Sequence, residues 1–244
     1  MWIRQDVGRT ALSPALEENT VHIWKINLDP PSASSTSVWE SNISKEERAL
    51  AMKFVFERDR IRYVASHSAL RDILGGYLGA PPNCIQFQIG DKGKPALNPS
   101  SGLYFNLAHS GQIALVAVTR SGEIGVDVEM IRPIASMRRL AQMCFAPCEF
   151  RCWDELCPPD CVPAFFNCWT RKESFIKAVG EGLSYPLDRF EVSLSPSETA
   201  KLISISGDEV EANRWTLQAI DLGPGYAAAF ATQSTGVTIR YFSI

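Results

Sequence analysis

At 244 residues the chain has room for one large domain or two small ones. Hydrophobic residues at 45% and charged residues at 21% are ordinary for a folded domain, and a net charge of −3 supplies no basic field for nucleic acid. The longest apolar runs fall far short of the ~20 residues a membrane span needs. The opening Met1-Trp2-Ile3-Arg4 lacks a basic-then-apolar signal pattern, so a cytoplasmic location is expected.

In chain order, the first twenty or so residues read as polar and irregular, and residues 21–26 as a short strand. Residues 30–37, rich in Pro and Ser, read as a loop. Ser44 followed by Glu46 and Glu47 marks a helix start near Lys45, a helix that carries Arg48 and Lys53 and reaches Phe54 or Phe56. A second helix from about Asp59 places Ile61, Val64, Ala65, Ala69 and Ile73 on one face and stops near Gly75-Gly76. Residues 91–95 read as a turn, 103–107 as a strand leading into Ala108-His109-Ser110-Gly111, and 113–118 as another.

The next strand carries the chemistry. Ile124, Val126 and Val128 alternate with Asp127 and Glu129, so the two carboxylates share one face. Two neighbouring carboxylates either face water as a polar edge or share a hard cation such as Mg2+. Further on, Phe165, Phe166, Trp169, Ile176 and Val179 give a helix an apolar side, with Glu173 and Lys177 together on a neighbouring face and Gly180 and Gly182 at its end. Taken alone, that Glu–Lys pair reads as a surface ion pair worth a few tenths of a kcal/mol.

Between these stretches lies a segment with Arg132, Arg138, Arg139 and Arg151 interleaved with Met137, Leu140, Met143 and Phe145. It suits an acidic partner helix, or equally a solvated basic face over a core. Six of the seven cysteines fall within 144–168, at spacings that lack the C-x2-C knuckle of zinc sites. Reduced thiols packed in or near a core are expected, with Cys144, Cys148 and Cys152 on one helical face. Strands at about 190–194, 200–206, 215–220, 227–232 and 237–242 read as one twisted antiparallel sheet. A faint echo runs through the chain: Gly111, Ala114, Ala117 and Gly122 recur as Gly225, Ala228, Ala231 and Gly236, as two copies of one unit would.

The carboxylate strand and the Glu–Lys helix together resemble the 4'-phosphopantetheinyl transferase superfamily. Its members carry G-[IV]-D-[IV]-E and then W-[ST]-x-K-E-[SA]-[FYL]-x-K-x-x-G-x-G-[LF]. Here these are Gly125 to Glu129 and Trp169 to Leu183, with every fixed position filled. Members of the longer, two-half group also carry an arginine on the early helix, G-K-P and F-N-x-[SA]-H-[ST], matched by Arg62, Gly93-Lys94-Pro95 and Phe105 to Ser110.

The resemblance implies an α+β fold of two similar halves with the active site in the cleft between them. Residues 1–122 would form the coenzyme A nucleotide side, and 123–244 the metal site and carrier contact. It implies transfer of 4'-phosphopantetheine from coenzyme A to a serine of an apo acyl or peptidyl carrier protein, releasing adenosine 3',5'-bisphosphate. Asp127, Glu129 and Glu173 would hold Mg2+ or Mn2+, Glu173 would also take the serine proton, and Lys177 would meet the departing phosphate. Arg62, Lys94, Pro95, Ala108 and His109 would hold the nucleotide, with Lys172 a second phosphate contact. The basic segment would meet the carrier, and the two halves in one chain imply a monomer. Two lysines that longer members place before the arginine are absent, since acidic or apolar residues stand around 46–50. The competing readings are a non-catalytic coenzyme A and carrier-binding module, and a metal-dependent phosphodiesterase.

Overall fold

The computed structural model of the chain describes residues 1–4, 14–29 and 33–244, without the side chains of 33–36 and 183. A two-residue strand β1 (Ile3–Arg4) precedes β2 (Thr20–Asn27). Helix α1 (Ala33–Asn42) covers part of the stretch expected as a loop, whose Pro30, Pro31 and Ser32 lie outside the described residues, as do 5–13 of the irregular first stretch. Trp39 of α1 packs on two apolar clusters of the first half, and that burial outweighs the weak helix preference of its serines. Helix α2 (Lys45–Ala51) opens as expected: Ser44 Oγ accepts from Glu47 N at 3.1 Å, and Glu47 Oε2 accepts from Ser44 N at 2.8 Å. It stops short of Phe54.

Helix α3 (Glu57–Leu78) runs through Gly75-Gly76 rather than stopping there, and ends at Gly79 in the left-handed region. Gly75 serves packing: a Cβ there would lie 2.6 Å from the Ala80 carbonyl oxygen. A ribbon of β3 (Gln88–Ile89) and β4 (Pro95–Ala96) flanks the Gly-Lys-Pro turn. Then come β5 (Tyr104–Ser110), β6 (Ile113–Thr119) and the carboxylate strand β7 (Ile124–Met130). The second half continues with α4 (Met137–Cys144), α5 (Pro147–Asp154), α6 (Pro158–Val179), β8 (Phe190–Val192), β9 (Leu202–Ile205), α7 (Glu209–Ala212), β10 (Thr216–Ala219), β11 (Tyr226–Thr232) and β12 (Thr238–Ser243).

The late strands do not form one sheet. Strands β8 and β9 pair as a ribbon, β10 and β11 join β7 in the order β10-β11-β7, and β12 crosses to the first half. There it completes the order β1-β12-β2-β6-β5, running parallel to both its neighbours. The last strand of the chain therefore returns to the first sheet.

The faint echo marks a true repeat. Ala114 and Ala117 of β6 lie opposite Ile26 and Ile23 of β2, while Ala228 and Ala231 of β11 lie opposite Val128 and Gly125 of β7. Each half thus has a three-stranded antiparallel core of equal register, and each has a 22-residue helix ended by a left-handed glycine, Gly79 or Gly180. The sheets meet through a dry layer of Ile23, Leu115 and Ala117 against Ile124, Val126 and Phe230, which joins the halves by apolar burial. One further cluster lies between α3 and the first sheet, another between α6 and the second.

The cysteines divide. Cys168 is fully buried in the second-half core, and Cys144 and Cys161 are packed against it. The expected common face is not formed, because the chain breaks between α4 and α5 and leaves Cys152 exposed.

Candidate active site

Helix α6 lies on β7 in backbone contact. A Cβ on Gly125 would come 2.1 Å from Ser174 O and 2.4 Å from Ala178 N, so only glycine admits the helix. Asp127 and Glu129 follow at i+2 and i+4 and so point to the same side, toward α6. This is no solvated edge: Asp127 is 5% exposed. Its Oδ1 accepts from Lys177 Nζ at 2.6 Å, and Lys177 also donates to the Val126 carbonyl at 3.4 Å. The other oxygen, Oδ2, is buried with no partner. Burial pushes the Asp127 carboxyl up to about 7, with Lys177 pulling it back and the charges of Glu173 and Glu129 adding to the rise. Burial also raises Glu173, partly offset by Lys177 one turn on and reinforced by Glu129. The three acids therefore share one field.

The first half reaches this face through β5, which lies beside β7. Asn106 Oδ1 accepts from Val126 N at 2.9 Å across the seam, in a buried bond. Ser110 Oγ donates to Glu129 Oε2 at 2.8 Å and accepts from Met130 N at 3.1 Å. Between them, Ala108 is buried in the layer joining the sheets, and His109 is exposed to solvent but crowded by its neighbours. That crowding lowers the His109 pKa, and the nearby charges of His67, Lys177 and Arg62 lower it further. Lys177 and Arg62 thus lie near the histidine, beside the acids. Asp29 holds Arg62, accepting from its Nη2 at 3.0 Å, and is itself held by Gln112 at 2.6 Å.

Lys94 holds its own turn in place. Its ammonium donates to Glu123 at 2.5 Å, Ile124 O at 3.2 Å and Ala178 O at 3.1 Å, so it ties the Gly-Lys-Pro turn to β7 and to the carbonyl end of α6. Pro95 stands in β4, opposite Ile89.

Lys172 is a correction. It is 1% exposed, and its ammonium pairs with Glu149 at 2.8 Å while donating to Leu187 O at 2.7 Å and Phe190 O at 2.6 Å. With three partners in the core it has no donor to offer a phosphate. On and just past α2, Arg48 donates to the Glu40 carbonyl, and Lys53 lies exposed beyond the helix end. The basic segment keeps Arg132, Arg138, Arg139, Arg151 and Met143 exposed, with Arg138 paired to Asp154. Glu149, the acid of the same segment, is buried.

Asn106, Ser110, Asp29 and Gln112 went unassigned from the sequence. The first two stand inside the F-N-x-[SA]-H-[ST] stretch and could have been suspected. The Asp29–Arg62 bond joins the chain just past β2 to α3 across a separation of 33 residues and has no local signal.

Among the described residues no three His, Cys, Asp or Glu side chains converge closely enough to cage a metal as they stand. The donor chemistry nevertheless fits one: three carboxylates share a field, and a buried Asp127 oxygen is unsatisfied.

Residues 123–231 match the family model described as the 4'-phosphopantetheinyl transferase superfamily, and residues 29–121 match that of the 4'-phosphopantetheinyl transferase N-terminal region. The chain is 38% identical over 204 residues to the 4'-phosphopantetheinyl transferase HetI of Nostoc sp., covering 82% of this chain and 83% of that one. It is 32% identical over 193 residues to the transferase psf-1 of Bacillus pumilus (78% and 79% covered). With Sfp of Bacillus subtilis it shares 31% over 173 residues (70% and 76%). The chain belongs to the 4'-phosphopantetheinyl transferase superfamily and is a transferase of the longer, Sfp-like group. Among the described residues no helix is long and apolar enough to cross a membrane.

Proposed function

We propose that the protein transfers 4'-phosphopantetheine from coenzyme A to a serine hydroxyl of an apo acyl or peptidyl carrier protein, and releases adenosine 3',5'-bisphosphate. The observation that carries this reading is the seam at β5 and β7, where Ser110 and His109 of one half stand against Glu129, Glu173 and Lys177 of the other. Arg62 and His109 would bind the nucleotide phosphate, a remote hold that orients the reacting pyrophosphate. Asp127, Glu129 and Glu173 are the residues to hold Mg2+, which when bound neutralises charge on the pyrophosphate. Glu173 takes the proton of the carrier serine as its oxygen bonds to phosphorus. The bond from phosphorus to the bisphosphate oxygen then breaks, and Lys177 meets the charge left there. Burial raises the Glu173 carboxyl and makes it a better base than a free carboxylate, with Lys177 pulling it partly back. The exposed arginines and Met143 supply a face for an acidic carrier helix.

The test is the intact mass of an apo carrier after incubation with the protein, coenzyme A and Mg2+. Gain of one phosphopantetheinyl group, abolished by Glu173→Gln and by EDTA, is the expected result. If fatty-acid, polyketide and peptide carriers all stay unmodified while coenzyme A binds, the catalytic reading fails and a binding module replaces it.

A further inference from the structure

The two halves share a buried device in which Lys172 of the second motif is one of four members. In the first, Glu47 is the third residue of α2. One carboxylate oxygen accepts from Ser44 N at 2.8 Å and from Arg71 Nε at 2.7 Å. In the second, Glu149 is the third residue of α5 and accepts from Ala146 N at 2.7 Å and Lys172 Nζ at 2.8 Å. Arg71 and Lys172 hold the same place, the fifteenth, in their 22-residue helices. Each cation also donates to carbonyls past the helix: Pro82 and Ile85 for Arg71, Leu187 and Phe190 for Lys172. Each lies over a ring of the segment that follows, Phe87 at 5.0 Å or Phe190 at 4.2 Å.

We infer that these pairs are positioning residues for the reaction, each fixing the depth and rotation of the long helix that brings its half's contribution to the seam. This rests on the proposed transferase reading. Buried ion pairs are poor sources of net stability, since apolar replacements of similar volume are often neutral or better. They do impose one geometry, because every donor and acceptor must be met at once. The Glu149–Lys172 pair fixes α6 directly beside Glu173 and one turn from Lys177. The Glu47–Arg71 pair fixes α3, which carries Arg62, and Glu47 also bonds His67 Nδ1 of the same helix at 3.1 Å. The two pairs thus serve different steps.

The experiment removes each pair whole, as Glu149→Gln/Lys172→Met and as Glu47→Gln/Arg71→Met, in the full chain. Coenzyme A affinity is read by calorimetry, kcat by carrier modification and folding by thermal melting. The second-half variant is expected to lose 10- to 100-fold in kcat, the scale of a reacting group displaced by about 1 Å, with its coenzyme A Kd within about threefold of wild type. The first-half variant is expected to weaken coenzyme A binding about 10-fold or more. Should either variant fail to fold, Lys172→Arg and Arg71→Lys, which give each half the other's cation, keep the charge and test the geometry with the same split. Equal effects on both parameters, or wild-type values in a folded variant, overturn the inference. A wild-type protein that modifies no carrier overturns the transferase reading instead, while the Arg71 arm still reads out through coenzyme A binding.

Discussion

Gly125→Ala is the sharpest test of how the site is assembled. The added methyl would sit 2.1 Å from Ser174 O, 2.4 Å from Ala178 N and 2.9 Å from Lys177 C. All three are backbone atoms, so no side chain can swing aside. Ordinary contact begins near 3.4 Å, so α6 must withdraw from β7 by about 1 Å. Overpacking of this kind costs about 1–3 kcal/mol, which in a chain of this size lowers Tm by about 2–4 °C per kcal/mol. The catalytic loss should be larger, because Glu173 and Lys177 ride on the displaced helix while Asp127 and Glu129 stay on the strand. About 100-fold in kcat is expected. Paired measurements of melting and carrier modification decide it. An alanine variant with wild-type Tm and kcat would show that the helix–strand contact does not set the site's geometry.

Other consequences are as direct. Ser110→Ala removes the hydroxyl that holds Glu129, so the Mg2+ concentration for half-maximal activity should rise severalfold at a stability cost of about 1 kcal/mol. Ser110→Thr should restore it, and an unchanged metal requirement in the alanine variant would refute the role. Lys177→Met leaves the buried Asp127 without its cation and should lower kcat on the order of 100-fold or more, with coenzyme A binding weakened less. A milder kcat loss than binding loss would place Lys177 on the nucleotide side alone. His22, fully buried against Tyr77, is held near a pKa of about 4 by burial first and Arg240 second. The unfolded chain therefore binds a proton that the folded chain refuses between about pH 6.5 and 4. Stability present above that window falls as pH drops through it, by about 2 kcal/mol at pH 5. Melting of His22→Phe between pH 8 and 5 should lack this component; identical slopes would refute it.

Local rules sufficed where local chemistry decides. The capping box at Ser44, the period-two alternation of β7 and the terminal glycine of α6 were legible because each is fixed by a few neighbouring residues. The acids and their partner helix were legible as motifs. What stayed hidden was set by distant contacts. The helix over 33–42 exists because Trp39 reaches two clusters. Gly75 looks like a stop and is a packing contact. Lys172 reads as a phosphate ligand beside Glu173, yet adjacent helical residues point about 100° apart, and that rotation sends it to the core. Strand β12 gives no sign in its own residues of belonging to the first sheet.

The repeat also explains why one half holds the acids. By register, Asp127 and Glu129 face Ala229 and Ala227 of β11, as Lys25 and Asn27 face Leu115 and Ile113 of β6. By helix position, Glu173 corresponds to Asp72. The first unit thus places a lysine and an amide where the second places two carboxylates. Lys25 lies 4.8 Å over the Trp2 ring, and Asp72 accepts from Asn42 at 3.0 Å, so both are committed to structure. Burial pushes Asp72 up to about 6, the cost of a carboxyl that kept its place without cationic company. A second acid set around it would repel with nothing to relieve it. The first unit instead turns its helix to Arg62 and its β5 edge to His109 and Ser110, and that division lets one fold used twice build one asymmetric site.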